Sequence, residues 1–425
     1  MANTLLSPNT IAMEAQMVLH NNSVMLPVIN RQYDPSFARD GAKIGYTLNL
    51  RLPNRAVVNK GSAMNIGDVS ETSTPLTVNT QAHVDFTFSN SDLTMVVDEF
   101  SDRYLKPFMG KLAAQVDADV LALAASKVYN QVGTANITPG LTGGTVGDFS
   151  DSSAPAIFLS AGNMLDNFAV PTQDRYLVLN PKAQALSIKG LSGLFNDQET
   201  LSNQFKYGRM GHALNFDFAM SQNVFRQAIG THAAASLAAV QVTGANQTGT
   251  SINLKGFTAS QTGVLKAGEV IRFVGVYSLN PENQKSTGEL QQFVVQADAN
   301  SDASGNSTVS IQPPITVASA SLATATVTNS PADSAQCYLD SYQQVGVAAG
   351  TTLPINVAFH KDAFILGTAD LILPNGVHFA AREHYEGVSM NIISQFNISD
   401  YTMPTRIDVL YGATCLPDRC VRIAG

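Results

Sequence analysis

Residues 44–52 alternate without a fault, with Ile44, Tyr46, Leu48, Leu50 and Leu52 on one side and Gly45, Thr47, Asn49 and Arg51 on the other. Residues 76–88 repeat the pattern, setting Leu76, Val78, Ala82, Val84, Phe86 and Phe88 against Thr77, Asn79, Gln81, His83, Asp85 and Thr87. A period of two predicts two long half-buried strands. At about 3.3 Å per residue the second runs roughly 40 Å if regular. The polar stretch between them, Asn54 to Thr74, is far longer than an ordinary hairpin loop. Two extended strands with a large soft tip predict a projecting arm, and its apolar face needs a partner.

Helical spacing appears on either side of this arm. Near the N-terminus Ile11, Ala15, Val18 and Leu19 share one face, Ser7 is a candidate N-cap, and Asn21-Asn22 ends the run. A helix this short is marginal alone and must lie on something. From Asp98 to Gln131, Tyr104, Phe108, Leu112, Val116 and Val120 recur every fourth residue. Pro107 kinks this long helix or marks its first turn. Asp98, Glu99 and Asp102 suit a helix start, Lys127 suits an end, and Asp117 and Asp119 read as a solvated face. Helix and strand then alternate over residues 156–225, with strands at Tyr176–Leu179 and Asn215–Met220 and a helix starting at Asn180-Pro181.

Composition shifts at about Gln227. Residues 231–346 hold four basic and seven acidic residues and are rich in Ala, Thr, Ser, Gly, Val, Asn and Gln. Short apolar runs at 270–274, 293–295, 309–311 and 324–327, separated by turn clusters, predict a small all-β barrel or sandwich. Mixed character returns at Leu353–Phe359, so this segment reads as an insertion. The last strand is expected at Arg406–Gly412.

Charge narrows the function. Of 425 residues, 25 are basic and 33 acidic, or 14% charged, against roughly 25% in an average soluble domain. No apolar run approaches the length of a membrane helix, and no basic region followed by an apolar core marks a signal peptide. The net charge of −8 argues against a general nucleic-acid binder. Cys337, Cys415 and Cys420 are too few for a disulfide framework and read as core or subsurface thiols. Sites for chemistry are scarce. Gly140–Gly147 lacks the Lys-Ser/Thr of a phosphate loop, and Gly190–Gly193 lacks the spacing of a nucleophile elbow. His378, Glu383, His384 and Glu386 read as a polar strand edge and turn. No enzymatic role, metal or cofactor is expected.

The order of parts resembles the tailed-phage major capsid proteins, specifically the coat-protein family of the P-twenty-two (P22) type. Asn30–Asp34, Phe37-Ala38 and Gly41 resemble the lead-in to that family's extended loop. Phe100–Phe108 running into Gln115–Val120 resembles the start of its spine helix. Lys266–Val276 resembles central strands of its inserted domain, Asn356–Phe364 the return to the core, and the Tyr411-Gly412 strand the C-terminal end.

The resemblance implies an α+β, HK-ninety-seven-like capsid fold with a long spine helix, an extended hairpin and an inserted small all-β barrel. The expected divisions are an arm (1–40), the hairpin (41–90), the spine and first core segment (91–226), the inserted domain (227–346) and the return with the C-terminal strand (347–425). It implies self-assembly as hexamers and pentamers in an icosahedral shell, through a scaffolded procapsid that expands. Scaffolding protein, portal protein and weakly held double-stranded DNA are the partners, with no membrane; the place is the virion, assembled in the host bacterial cytoplasm. Arg51, Arg55, Lys60, Phe86 and Phe88 are the candidate intersubunit contacts. The family's charged loop near the start of the inserted domain has no charged counterpart here, since Thr243 to Asn253 holds none. The competing readings are another compartment shell or a secreted β-rich enzyme or adhesin, and the latter lacks a visible secretion route.

Overall fold

The computed structural model describes residues 8–33, 47–51, 62, 73–89, 105–132, 153–191, 211–231, 240–318, 324–339, 350, 352–399 and 402–424. Along the chain, helix α1 (Pro8–Asn22) leads to strands β1 (Asn30–Tyr33), β2 (Thr47–Arg51), β3 (Ser73–Thr77) and β4 (Thr80–Ser89). Helix α2 (Lys106–Lys127), β5 (Gln131–Val132), α3 (Ser153–Asn167), β6 (Arg175–Leu179) and α4 (Pro181–Leu191) follow. Next come β7 (His212–Ala213), β8 (Phe216–Met220), β9 (Arg226–Ala228), β10 (Gln241–Val242) and β11 (Gly249–Lys255). Then come β12 (Val270–Leu279), β13 (Ser286–Val295), β14 (Ser307–Ile315) and β15 (Cys337–Leu339). The last strands are β16 (Thr352–His360), β17 (Phe364–Ala369), β18 (Phe379–Tyr385), β19 (Val388–Ser394), β20 (Thr402–Cys415) and β21 (Cys420–Ala424).

These elements form two compact units. The first comprises Met1–Arg51, Ser73–Val120 and Phe364–Thr414. Its sheet runs β1-β17-β20-β19-β18, with β4 also paired to β20. Helix α1 lies on β18 and β19, burying Ala12, Ala15, Gln16 and Leu19. The Gln16 side-chain amide donates to the Val388 carbonyl. Beside it, the Glu386 carboxylate in the β18–β19 turn accepts from Arg31 at 2.8 Å and lies 3.0 Å from His20. The hydrogen bond from Arg31, and then the charge beside it, holds the Glu386 carboxyl below its usual range. The short terminal helix therefore has the support its length demands. Ser7, the candidate cap, lies outside the described residues.

The alternating run 76–88 is not one strand. Leu76 belongs to β3, which pairs antiparallel with β2 from Thr47↔Thr77 to Arg51↔Ser73. From Thr80 the chain pairs instead with β20, in ten-residue register from Tyr411↔Thr80 to Thr402↔Ser89. The chain changes sheets at Val78-Asn79 without slipping phase, so alternation alone hides the break. The described part of the long helix is α2, Lys106–Lys127. Pro107 stands in its first turn, where its missing N–H costs nothing, and 22 residues span about 33 Å. Asp98, Glu99 and Asp102 lie outside the described residues.

The second unit comprises Leu52–Thr72, Leu121–Ala363 and Cys415–Gly425. Its seven-stranded sheet runs β5-β21-β16-β6-β8-β7, with β9 on β16. Phe158, Leu165, Leu177, Leu179, Phe216 and Val421 are in the core that α3 and α4 make with it. Asn180 caps α4 by accepting from the Ala183 N–H at 2.7 Å, and its own N–H donates to buried Asn356 of β16 at 2.7 Å.

The inserted segment is a barrel. Its strands run β10-β11-β14-β13-β12-β15, and a bridge between Gln241 and Gln336 brings the two ends of the sheet together. The Val242 N–H to Ala335 carbonyl and Cys337 N–H to Val240 carbonyl bonds, both 2.9 Å, continue that seam. Ile252, Leu254, Ile271, Phe273, Phe293 and Ile311 fill the interior. Near-closure leaves little sheet edge exposed to wrong pairing. The run 324–327 forms bridges at Val327 rather than a strand. The barrel is bolted to the rest of its unit by side-chain amides: buried Gln292 and Gln131 exchange two hydrogen bonds at 2.5 and 2.8 Å, and half-buried Asn280 donates to the Asn167 carbonyl at 2.9 Å.

Candidate assembly surfaces

The hairpin of β2 and β3 grows from the six-stranded sheet at two glycines. Gly412 of β20 lies directly under the chain at Thr77-Val78: a Cβ there would overlap the Thr77 carbonyl oxygen and stand 2.9 Å from the Val78 Cα. Gly367 of β17 makes room for Leu76, whose methyl would lie 2.7 Å from a Cβ at that position. Val78, Ala369 and Leu410 bury one another at this root. Leu48 and Leu50 of β2 remain only half-buried.

The candidate contact residues fall in different places. Arg51 is exposed at the end of β2, opposite Ser73. Phe86 lies on β4, where its ring stacks on Phe108 of α2 at 5.1 Å and 21°. Phe88 is on the same strand, opposite Met403. Arg55 and Lys60 lie outside the described residues. The sequence did not single out several apolar side chains that are exposed among the described residues. Of these, Met13 and Met17 form one outward stripe of α1, Ile372 precedes β18, and Phe396 and Ile398 occupy the β19–β20 hairpin, with Ile398 84% exposed. Spacing within α1 gave a signal for the methionines, whereas residues in turns have none.

Three charged residues outside these surfaces, Asp117, Asp119 and Arg422, fix the framework. Asp117 is not on a solvated face: it is 1% exposed and accepts from the Ser23 hydroxyl and the Val24 and Met25 N–H groups at 2.5, 2.8 and 3.2 Å. It thus caps the turn that carries the chain out of α1. Burial raises its carboxyl above the ordinary carboxylate range, outweighing the three hydrogen bonds that lower it. Asp119 accepts from the Tyr411 hydroxyl, whose own titration is pushed up chiefly by burial and then by that carboxylate. Arg422 of β21, fully buried, donates through one Nη to the Gly268 carbonyl at 2.6 Å and to Ala125 and Val128 near the end of α2 at 3.2 and 3.4 Å. A cation there suits the C-terminal end of a helix.

Asp117→Ala is expected to destabilise the subunit by about 2–4 kcal/mol by stranding the buried Met25 N–H, the partly buried Val24 N–H and the Ser23 hydroxyl. Because the folded carboxyl titrates above its unfolded value, its contribution is full below that value and is lost as pH rises through the raised one. The gap between wild type and Asp117→Ala should therefore narrow from acid to neutral pH. Thermal unfolding at several pH values measures it, and a gap that widens with pH would contradict this assignment.

The His/Glu cluster reads as a polar edge in the structure too. Asp370 accepts from Arg382 at 2.8 Å and lies 3.5 Å from His384, while Glu386 belongs to the α1 contact. Among the described residues no group of three or more His, Cys, Asp or Glu side chains is placed to hold a metal ion. Nor does any described helix have the length and apolarity to cross a membrane. The uncharged stretch from Thr243 to Asn253 is a turn running into β11, braced by Gln247, which donates to the Thr243 carbonyl and accepts from the Asn253 N–H, both at 2.7 Å.

Residues 61–424 match the family model described as P22 coat protein - gene protein 5. No curated protein matches the chain. Among solved structures, one from Mycobacterium phage Che8 is similar at 11% identity over 94% of this chain and 90% of that one, with a TM-score of 0.43. The capsid of Ralstonia phage GP4 is similar at 7% identity over 93% and 86%, with a TM-score of 0.44. The CUS-3 coat protein I-domain covers 25% of this chain and 97% of its own at 22% identity, with a TM-score of 0.20. At such identities and TM-scores the family match alone carries the assignment.

Proposed function

The chain belongs to the P22 coat protein family, and on that footing we propose that it builds an icosahedral shell through a scaffolded procapsid that expands as DNA enters. Membership makes it a major capsid protein whose copies assemble into the shell of a virion. The finer reading assigns hexamers and pentamers of the chain, a scaffolding protein, a portal protein and packaged double-stranded DNA as partners, with assembly in the host bacterial cytoplasm. Its role is structural, without catalysis. The divisions at residues 1–40, 41–90, 91–226, 227–346 and 347–425 are its working parts.

The observation that carries this reading is the family match, which runs from within the 52–72 segment to the last strand. Mutual burial supplies the driving force. Arg51, Arg55 and Lys60 are proposed to meet acidic partners on the neighbouring subunit, but exposed pairs contribute at most about 1 kcal/mol each. Apolar area does more: at about 25 cal/mol per Å², side chains such as Ile398, Met13 and Met17 gain from cover by a second copy, as do half-exposed parts of the strand carrying Phe86 and Phe88. The test is co-expression with the scaffolding protein of the same phage. Closed particles containing that protein should form and should grow in diameter when it leaves; particles of fixed diameter would contradict the expansion step.

A further inference from the structure

Cys415 closes β20 and Cys420 opens β21, with a single 3-10 turn, Pro417–Arg419, between them. Both thiols are free and buried, and their Sγ atoms lie 3.8 Å apart, in van der Waals contact. The turn is held at both ends, since the Leu416 N–H donates to the Ala363 carbonyl at 2.7 Å and Arg419 pairs with Asp362 at 3.3 Å. The two sulfurs are therefore kept together by the backbone. Residues 416–419 are only half-buried, so a small reagent reaches the pair by a local opening of this turn. Cys337, by contrast, lies inside the barrel.

We propose that Cys415 and Cys420 form a redox site, an intramolecular disulfide that closes across this turn when the protein meets a low-molecular-weight disulfide such as oxidised glutathione. The Cys415 thiolate attacks one sulfur of the reagent, forming a mixed disulfide and releasing one small thiolate. The Cys420 thiolate then attacks the Cys415 sulfur and expels the second. Two protein thiols lose two protons and two electrons, and the reagent is reduced to two thiols. Burial and the neighbouring Cys415 sulfur push the Cys420 thiol well above its ordinary range. Closure is accordingly slow at neutral pH and faster in mild alkali; its extent is set separately by the redox poise of the medium, reduced in a reducing compartment and closed in an oxidising one.

The test uses the full chain incubated with oxidised glutathione in mildly alkaline buffer, then denatured, alkylated and weighed. The expected product is a monomer lighter by two hydrogens, with one linked peptide joining residues 415 and 420 and a faster rate at higher pH. Cys337→Ser should behave as wild type, and Cys415→Ser should give no linked peptide. The wild-type measurement stands even if a variant fails to fold. Two free thiols after prolonged oxidation, a persistent glutathione adduct, or a bond between subunits would each overturn the proposal.

Discussion

Replacing Gly412 with alanine is expected to destabilise the subunit by about 3 kcal/mol or more, as overpacking against backbone does. The added methyl would overlap the Thr77 carbonyl oxygen and stand 2.7 Å from its carbon. These are backbone atoms of β3, held in register against β2, and the next residues are tied to β20 by the β4 ladder. Neither side can give without breaking a row of hydrogen bonds. The site matters because the hairpin leaves the sheet there, so the strain appears both as lost stability and as a misdirected hairpin. Thr77→Ala leaves the same backbone in place and should change stability by no more than about 0.5 kcal/mol. Thermal unfolding of the two variants checks this. A Gly412→Ala subunit as stable as wild type would show that the chain does not cross so closely.

Much of this framework was legible in the sequence, and the failures share a cause. Period-two alternation marked β2, β3 and β4, and it hid the change of sheet at Val78-Asn79 because the inward phase carries through the bend. The barrel was legible because its short strands are separated by turn clusters. The start of α2 stayed open because Pro107 fits either a kink or a first turn. Charged residues were the hardest to read. Asp117 and Arg422 are buried by partners distant in sequence, and a charge in a pattern defaults to solvent. β21 lies between β5 and β16, so all five of its residues are buried, and alternation cannot mark which way Arg422 faces. The candidate contact surfaces were legible only as an arm in need of a partner; exposed residues in turns, such as Ile398, carry no periodic signal.

Deleting residues 55–72 is expected to abolish shells while leaving a folded subunit. The deletion removes the tip but keeps Leu52-Pro53-Asn54 as the link between Arg51 and Ser73, which already face each other across the ladder. Three residues suit a hairpin turn, so β2 and β3 can still pair, and the root at Gly412 and Gly367 is untouched. What is lost is the segment proposed to lie over the adjacent subunit, including Arg55 and Lys60. Because each exposed ion pair contributes at most about 1 kcal/mol, substituting Arg55 and Lys60 alone should weaken assembly far less than removing the whole tip. Circular dichroism and thermal unfolding should match wild type within a few degrees, while particles should be absent from the micrographs. Normal particles from the deleted chain would remove the hairpin from the assembly mechanism.

The low formal charge of the chain fits a subunit that meets its own copies over broad neutral surfaces. Electron microscopy of the expressed full-length chain, with sedimentation of the same sample, tests that claim most directly. Large closed particles of uniform curvature are the predicted result; a stable soluble monomer that forms no particles at any concentration, even with its scaffolding protein, would contradict it.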